Sequence, residues 1–171
     1  MKPLKLKMKN FGPYKDAEVD FTKFSEAPLF LITGATGSGK TTIFDAMCFA
    51  LYGRSSTDKD RNVFLLRSDF VEGCKEKTEV ELTFSHQGKE YTVNRSFYQT
   101  KGNKEKGEFT KKASLRYHDE NGTSVELTKL NEINIKVTSL LNLNAEQFSK
   151  IILLPQGKFK VFLMSYIIKK E

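Results

Sequence analysis

A mixed α/β fold is predicted by three features of the sequence. They are a short apolar run ending in a glycine-rich loop, a segment of helical apolar spacing directly after that loop, and several stretches alternating apolar with polar residues. The chain has 171 residues, 39% of them hydrophobic and 29% charged. That suffices for one domain with its own core, with one lobe beside it, and lies far from the composition of a disordered chain.

Leu4, Leu6 and Met8 alternate with Lys5, Lys7 and Lys9, so the first strand has an apolar face and a lysine face. The lysine face is either wet or in contact with phosphate. After the turn Asn10-Phe11-Gly12-Pro13, the run Ala17, Val19 and Phe21 against Glu18 and Asp20 supplies the hairpin partner. Pro28 precedes Leu29-Phe30-Leu31-Ile32-Thr33, expected to be a strand buried on both faces and ending at Gly34. From Gly39 to Tyr52, Ile43, Phe44, Met47, Ala50 and Leu51 recur at helical spacing, and Gly53 stands where a left-handed residue closes a helix.

Arg54 to Lys77 is polar and carries no regular pattern. Glu79 to Ser85 and Tyr91 to Tyr98 read as a hairpin across His86-Gln87-Gly88-Lys89, and Ala113 to His118 with Ser124 to Leu127 as another across Asp119-Glu120-Asn121-Gly122. These four strands, about 79–127, form one antiparallel β lobe. Between the two pairs, Gln99 to Lys112 holds five lysines and two glutamates and reads as a long basic loop. It either touches nucleic-acid backbone or is a solvated hairpin tip. Leu127, Leu130, Ile133, Val137, Leu140 and Leu141 mark a helix, and Asn144 is placed to cap another from Ala145. Ile151 to Leu154 is a further short buried run, closed by Pro155-Gln156-Gly157.

The net charge of +7 favours acidic partners and leaves nucleic acid among them. No apolar stretch is long enough to cross a bilayer, and the N-terminus lacks the continuous apolar block of a secretion signal. The expected location is therefore the cytoplasm, without membrane contact. Cys48 reads as a core thiol and Cys74 as a loop thiol, because neither stands in a disulfide or metal-binding spacing.

The chemistry sits in Gly34-Ala35-Thr36-Gly37-Ser38-Gly39-Lys40-Thr41-Thr42, which fits GxxxxGK[ST] between an apolar run and a helix. Glycines let main-chain N–H groups approach phosphate without an intervening Cβ. Lys40 would bring its charge to the β and γ phosphates at the helix N-terminus, and Thr41 would ligate magnesium. ATP and Mg2+ are the expected ligands. Hydrolysis further requires a carboxylate after an apolar strand, and none of Asp16, Asp20, Asp45, Asp58, Asp60, Asp69 or Asp119 follows a run of four apolar residues.

Lys9-Asn10-Phe11-Gly12-Pro13-Tyr14, the glycine loop, Ala50-Leu51-Tyr52-Gly53, and Glu146-Gln147-Phe148 leading to Leu153-Leu154-Pro155-Gln156-Gly157 together resemble the start of the SbcC family, the ATPase subunits of SbcCD nucleases. The resemblance implies a P-loop NTPase of the ABC and SMC type, with residues 1–171 as the N-terminal lobe of its head and a helix and Q-loop at about 128–157. It implies that Gln156 joins Thr41 on magnesium and senses the γ-phosphate; otherwise Gln156 is an exposed loop amide. It also implies four partners: the C-terminal half of the same head, an SbcD-type nuclease subunit, DNA, and a second head in a head-to-head dimer. Ser38 and Lys158 depart from the alanine and acid usual in the family. The chain stops at Glu171, before the coiled coil and the half that carries Walker B, so it reads as a fragment or truncated gene product. Two other readings differ in class: a self-sufficient small P-loop kinase, which needs its own acceptor site and metal carboxylate, and a DNA-binding module with no nucleotide role.

Overall fold

Cross-strand register gathers the apolar half of each alternating segment onto one face of a single sheet. The structure, a computed structural model, describes residues 1–24, 31–56, 63–71, 76–101 and 107–151. Among these residues six strands, β1 (Lys2–Phe11), β2 (Tyr14–Asp20), β3 (Thr78–His86), β4 (Lys89–Lys101), β5 (Glu108–His118) and β6 (Ser124–Leu127), pair antiparallel in the order β2-β1-β3-β4-β5-β6. Met8 faces Val80, Leu6 faces Leu82, Val93 faces Leu115 and Leu115 faces Leu127, so one row of apolar side chains crosses the sheet.

Among the described residues three α-helices, α1 (Lys40–Tyr52), α2 (Leu130–Leu141) and α3 (Ala145–Ile151), accompany the sheet. Helix α1 packs on β1, β3 and β4 and also touches α2 and α3. Its buried residues, Ile43 and Asp45 to Leu51, form a nearly continuous run rather than one stripe, as expected for a helix covered on several sides. Phe49 lies 5.7 Å, centroid to centroid, from both Phe11 and Phe97. Each fully buried ring contributes roughly 1.5–3 kcal/mol by burial alone, so α1 is the element that ties the opening strand to β4.

Gly53 and Asn144 bound two of these helices by different means. Gly53 closes α1 at φ 71°, donating its N–H to the Phe49 carbonyl at 2.7 Å. The cap expected at Asn144 is reciprocal: the Gln147 N–H donates to Asn144 Oδ1 and the Asn144 N–H donates to Gln147 Oε1, each at 2.9 Å.

Three expectations change. The opening hairpin and the four-stranded lobe are one sheet, because β1 uses its free edge to pair with β3. Of the apolar run Leu29–Thr33, Leu29 and Phe30 lie outside the described residues, and residues 31–33 form no strand, with Leu31 84% exposed. A strand buried on both faces needs hydrogen-bonded neighbours, and among the described residues no strand of the six-stranded sheet pairs with residues 31–33. The basic loop is shorter than expected, since β4 runs to Lys101 and β5 begins at Glu108. Phe109 anchors that extension, pairing with Gln99 and stacking on Phe64 at 3.7 Å between centroids. Residues 102–106, Cys74 and the run after Ile151 lie outside the described residues. The unpatterned segment before β3 contributes a short 3₁₀ turn at Val63–Leu66.

Candidate nucleotide-binding site

The glycine loop delivers the chain to the N-terminus of α1. Gly37 and Gly39 hold φ of 83° and 90°, in the left-handed region that glycine tolerates and other residues resist. The Ser38 N–H donates to the Ala35 carbonyl at 3.2 Å, closing a turn inside the loop. Helix α1 begins at Gly39 with no side-chain cap and no acidic residue in its first turn. Its first N–H groups and its positive dipole end therefore remain available to an anion.

Lys40 shows where the positive charge goes. Its Nζ donates to the carbonyls of Gly34 and Ala35, both at 2.7 Å, folding the ammonium back over the loop. Two carbonyls thus occupy donors that phosphate oxygens would take over. Thr41 is exposed and Thr42 is half-buried. Gly34, Ala35, Thr36, Gly37, Ser38 and Gly39 are therefore brought together with Lys40, Thr41 and Thr42 at one helix end. Gln156 lies outside the described residues.

The β1–β2 turn forms the wall of this loop. A Cβ on Gly39 would lie 2.7 Å from both Pro13 Cγ and Tyr14 Oη. A Cβ on Gly12, where φ is 54°, would lie 2.7 Å from Thr42 Cγ2. Two glycines thus let the turn and the helix start touch through backbone, and the fit leaves no room for a side chain at either position. The turn is held from behind, because Gly12 N–H donates to the Leu66 carbonyl at 2.6 Å and Ser68 N–H to the Asn10 carbonyl at 2.9 Å. Tyr14 carries no functional signal in the sequence beyond its place in a motif, yet its phenol stands beside the loop. Burial raises its pKa, so it remains a neutral hydroxyl there.

The carboxylate nearest in sequence, Asp45, serves another purpose. It is buried in α1, and its Oδ1 accepts from Ser55 Oγ at 2.8 Å, Ser56 Oγ at 2.8 Å and Ser56 N–H at 2.9 Å. Asp45 thereby fixes the segment leaving α1. Among the described residues, no group of three or more His, Cys, Asp or Glu side chains could hold a metal ion.

The lysine face of β1 is largely matched by acids. Lys5 pairs with Glu18 at 3.1 Å and Lys7 with Glu81 at 3.2 Å, while Arg116 reaches the other oxygen of Glu81 at 3.4 Å. The pattern of the first strand alone does not contain the cross-strand register that puts acids opposite these lysines. Cys48 is buried as expected, and burial pushes its thiol up to about 11. No helix among the described residues is long and apolar enough to cross a membrane.

A sheet carrying a glycine loop that runs into the uncapped N-terminus of a buried helix is the arrangement found, and residues 5–171 match the AAA domain family, to which this chain belongs. It is 40% identical over 172 residues to the SbcC component of the SbcCD nuclease of Staphylococcus saprophyticus, covering 100% of this chain and 17% of that protein. It is 41% identical over 177 residues to the SbcC component of Lactococcus lactis, with the same coverage. The chain thus spans 17% of the length of these curated relatives. A solved chain from work on ATP-driven dimerization and DNA-stimulated activation of SMC ATPases superposes with a TM-score of 0.50 at 19% identity, covering 95% of this chain and 91% of that one. The fold is that of an SMC-like ATPase head, and the resemblance to SbcC carried by the motifs holds along the whole chain.

Proposed function

We propose that this chain is the ATP- and magnesium-binding N-terminal lobe of an SbcC-type ATPase head, working in the cytoplasm in the processing of DNA double-strand breaks and hairpins. The observation that carries the reading is the uncapped N-terminus of α1, with Lys40 already folded over the loop and Gly39 packed against Pro13 and Tyr14. Three glycines thin the loop of Cβ atoms, and no acidic side chain stands in the first turn to oppose charge, which supports a triphosphate there. Lys40 would release its two carbonyls to meet phosphate oxygens, and Thr41 and Gln156 would hold magnesium, which supplies charge neutralisation at the phosphates.

The remaining chemistry is assigned to partners. The C-terminal half of the same head would bring the Walker B carboxylate, and its strands would cover the run at 31–33. ATP would then join two heads, coupling to an SbcD-type nuclease subunit and to DNA.

Calorimetry with ATP and Mg2+ tests this reading. The 171-residue chain is expected to bind ATP, Lys40→Ala is expected to lose at least tenfold in affinity, and neither is expected to turn ATP over measurably. Steady hydrolysis by the chain that disappears in Lys40→Ala would show that it carries its own catalytic carboxylate and would overturn the half-head reading.

A further inference from the structure

Helix α1 carries a second polar site at its other end, about 18 Å from the glycine loop by helix rise. We infer that the cavity where the C-terminal end of α1, strands β4 and β5 and the first turn of α2 meet is a binding site for a compact oxyanion of the phosphate or pyrophosphate class. The cavity has a volume of about 210 Å³, and its lining includes Gly53, Phe64, Arg95, Lys111, Asn131 and Asn134. That volume greatly exceeds one water's share of about 30 Å³ in the liquid.

Arg95 is the built component. It stands on the inner face of β4, between Val93 and Phe97, and is 4% exposed. Its Nε donates to the Ala50 carbonyl at 2.7 Å, and its Nη2 donates to the Leu51 carbonyl at 3.0 Å and to Asn134 Oδ1 at 2.7 Å. These bonds cap the last turn of α1 and fix the guanidinium plane. Nη1 has no hydrogen-bond partner among the described residues and lies on the cavity wall beside Gly53, 3.2 Å from where a Cβ would project. A charge so buried is costly unless an opposite charge compensates it, and among the described residues no carboxylate lines this cavity.

The other donors converge from a different element. Leu130 and Asn131, which line the cavity, open α2, and its N-cap residue Lys129 makes no side-chain cap. The first intrahelical bond is Ile133 N–H to the Lys129 carbonyl at 3.0 Å, so the preceding N–H groups are open to an anion. Asn134 spends its oxygen on Arg95 and keeps its amide hydrogens. Lys111 brings an ammonium, its Nζ 5.0 Å from the Phe64 ring centroid. Guanidinium, helix N-terminus, amide and ammonium thus surround one space, the donor set that recognises a doubly charged oxyanion.

The 171-residue chain carrying Lys40→Ala, which removes phosphate binding at the glycine loop, is titrated with pyrophosphate in a calorimeter at low salt. One saturable event is expected. Lys111→Glu and Asn131→Asp should each weaken it at least tenfold. Asn131→Asp places an acid in the first turn of α2, where it suits the helix dipole, so the fold survives and circular dichroism checks this. Lys89→Glu, an equal charge change at the start of β4, should leave affinity unchanged. The inference is overturned by the absence of saturable uptake, by unchanged affinity in both cavity variants, or by an equal loss in Lys89→Glu. Binding of a short DNA duplex without binding of pyrophosphate would also overturn it, since backbone phosphate would then be the ligand.

Discussion

Replacing Gly39 by alanine should cost far more than the same change at Gly37, although both residues sit in one loop with similar φ. At both positions, 83° and 90°, an alanine bears the strain of the left-handed region, about 1–2 kcal/mol. Both substitutions also restrict the unfolded chain equally, by a few tenths of a kcal/mol. The difference lies in space. A Cβ at Gly37 meets nothing within 4 Å, whereas at Gly39 it would stand 2.7 Å from Pro13 Cγ. The proline ring cannot rotate away, so the β1–β2 turn must move, at about 1–3 kcal/mol. Gly39→Ala is therefore expected to lose about 2–5 kcal/mol in total, against a domain stability of ~5–15 kcal/mol. Urea denaturation followed by far-UV circular dichroism measures both variants. Equal losses at the two glycines would show that the turn does not pack on the helix start, and the wall assigned to the nucleotide site would have to be abandoned.

Cys48 gives a pH prediction. Its thiol is raised from 9.0 to about 11 by burial, so the folded state favours the protonated form. That contribution is complete below pH 9, fades as pH rises toward 11, and is on the order of 2–3 kcal/mol. In a Cys74→Ser background, the urea midpoint should fall more steeply between pH 9 and 11 than in the same background with Cys48→Ala; parallel profiles would contradict the burial argument. Asn144→Ala removes one side of the capping box on α3 and should cost about 1 kcal/mol. Gln147→Ala should lose a similar amount, and the double variant little more than either, as a double-mutant cycle would show. Charge reversal at Lys101, Lys104 and Lys106 should weaken duplex binding measured by anisotropy and flatten its salt dependence. No change would return that segment to a solvated hairpin tip.

What the sequence determined by itself is whatever depends on near neighbours along the chain. The glycine loop, the helix after it, the left-handed Gly53, the Asn144 cap and all three expected β hairpins are legible because helix periodicity, turn chemistry and capping act within a few residues. Arg95 carries a local signal too, one that motif reading misses: strand parity puts it in line with Tyr91, Val93 and Phe97 on the apolar face.

Tertiary structure decided what depends on residues far apart in sequence. Pairing of β1 with β3 joins segments separated by the whole of α1 and merges the opening hairpin with the lobe. Only that pairing sets Glu81 beside Lys7 and turns a lysine stripe into a matched polar face. The fit of Gly12 and Gly39 and the docking of Arg95 on the carbonyls of Ala50 and Leu51 are likewise products of α1 lying on the sheet. The apolar run at 31–33 marks the boundary between the two kinds of information. Its composition states that it should be covered, and coverage is a property of neighbours that no local pattern supplies.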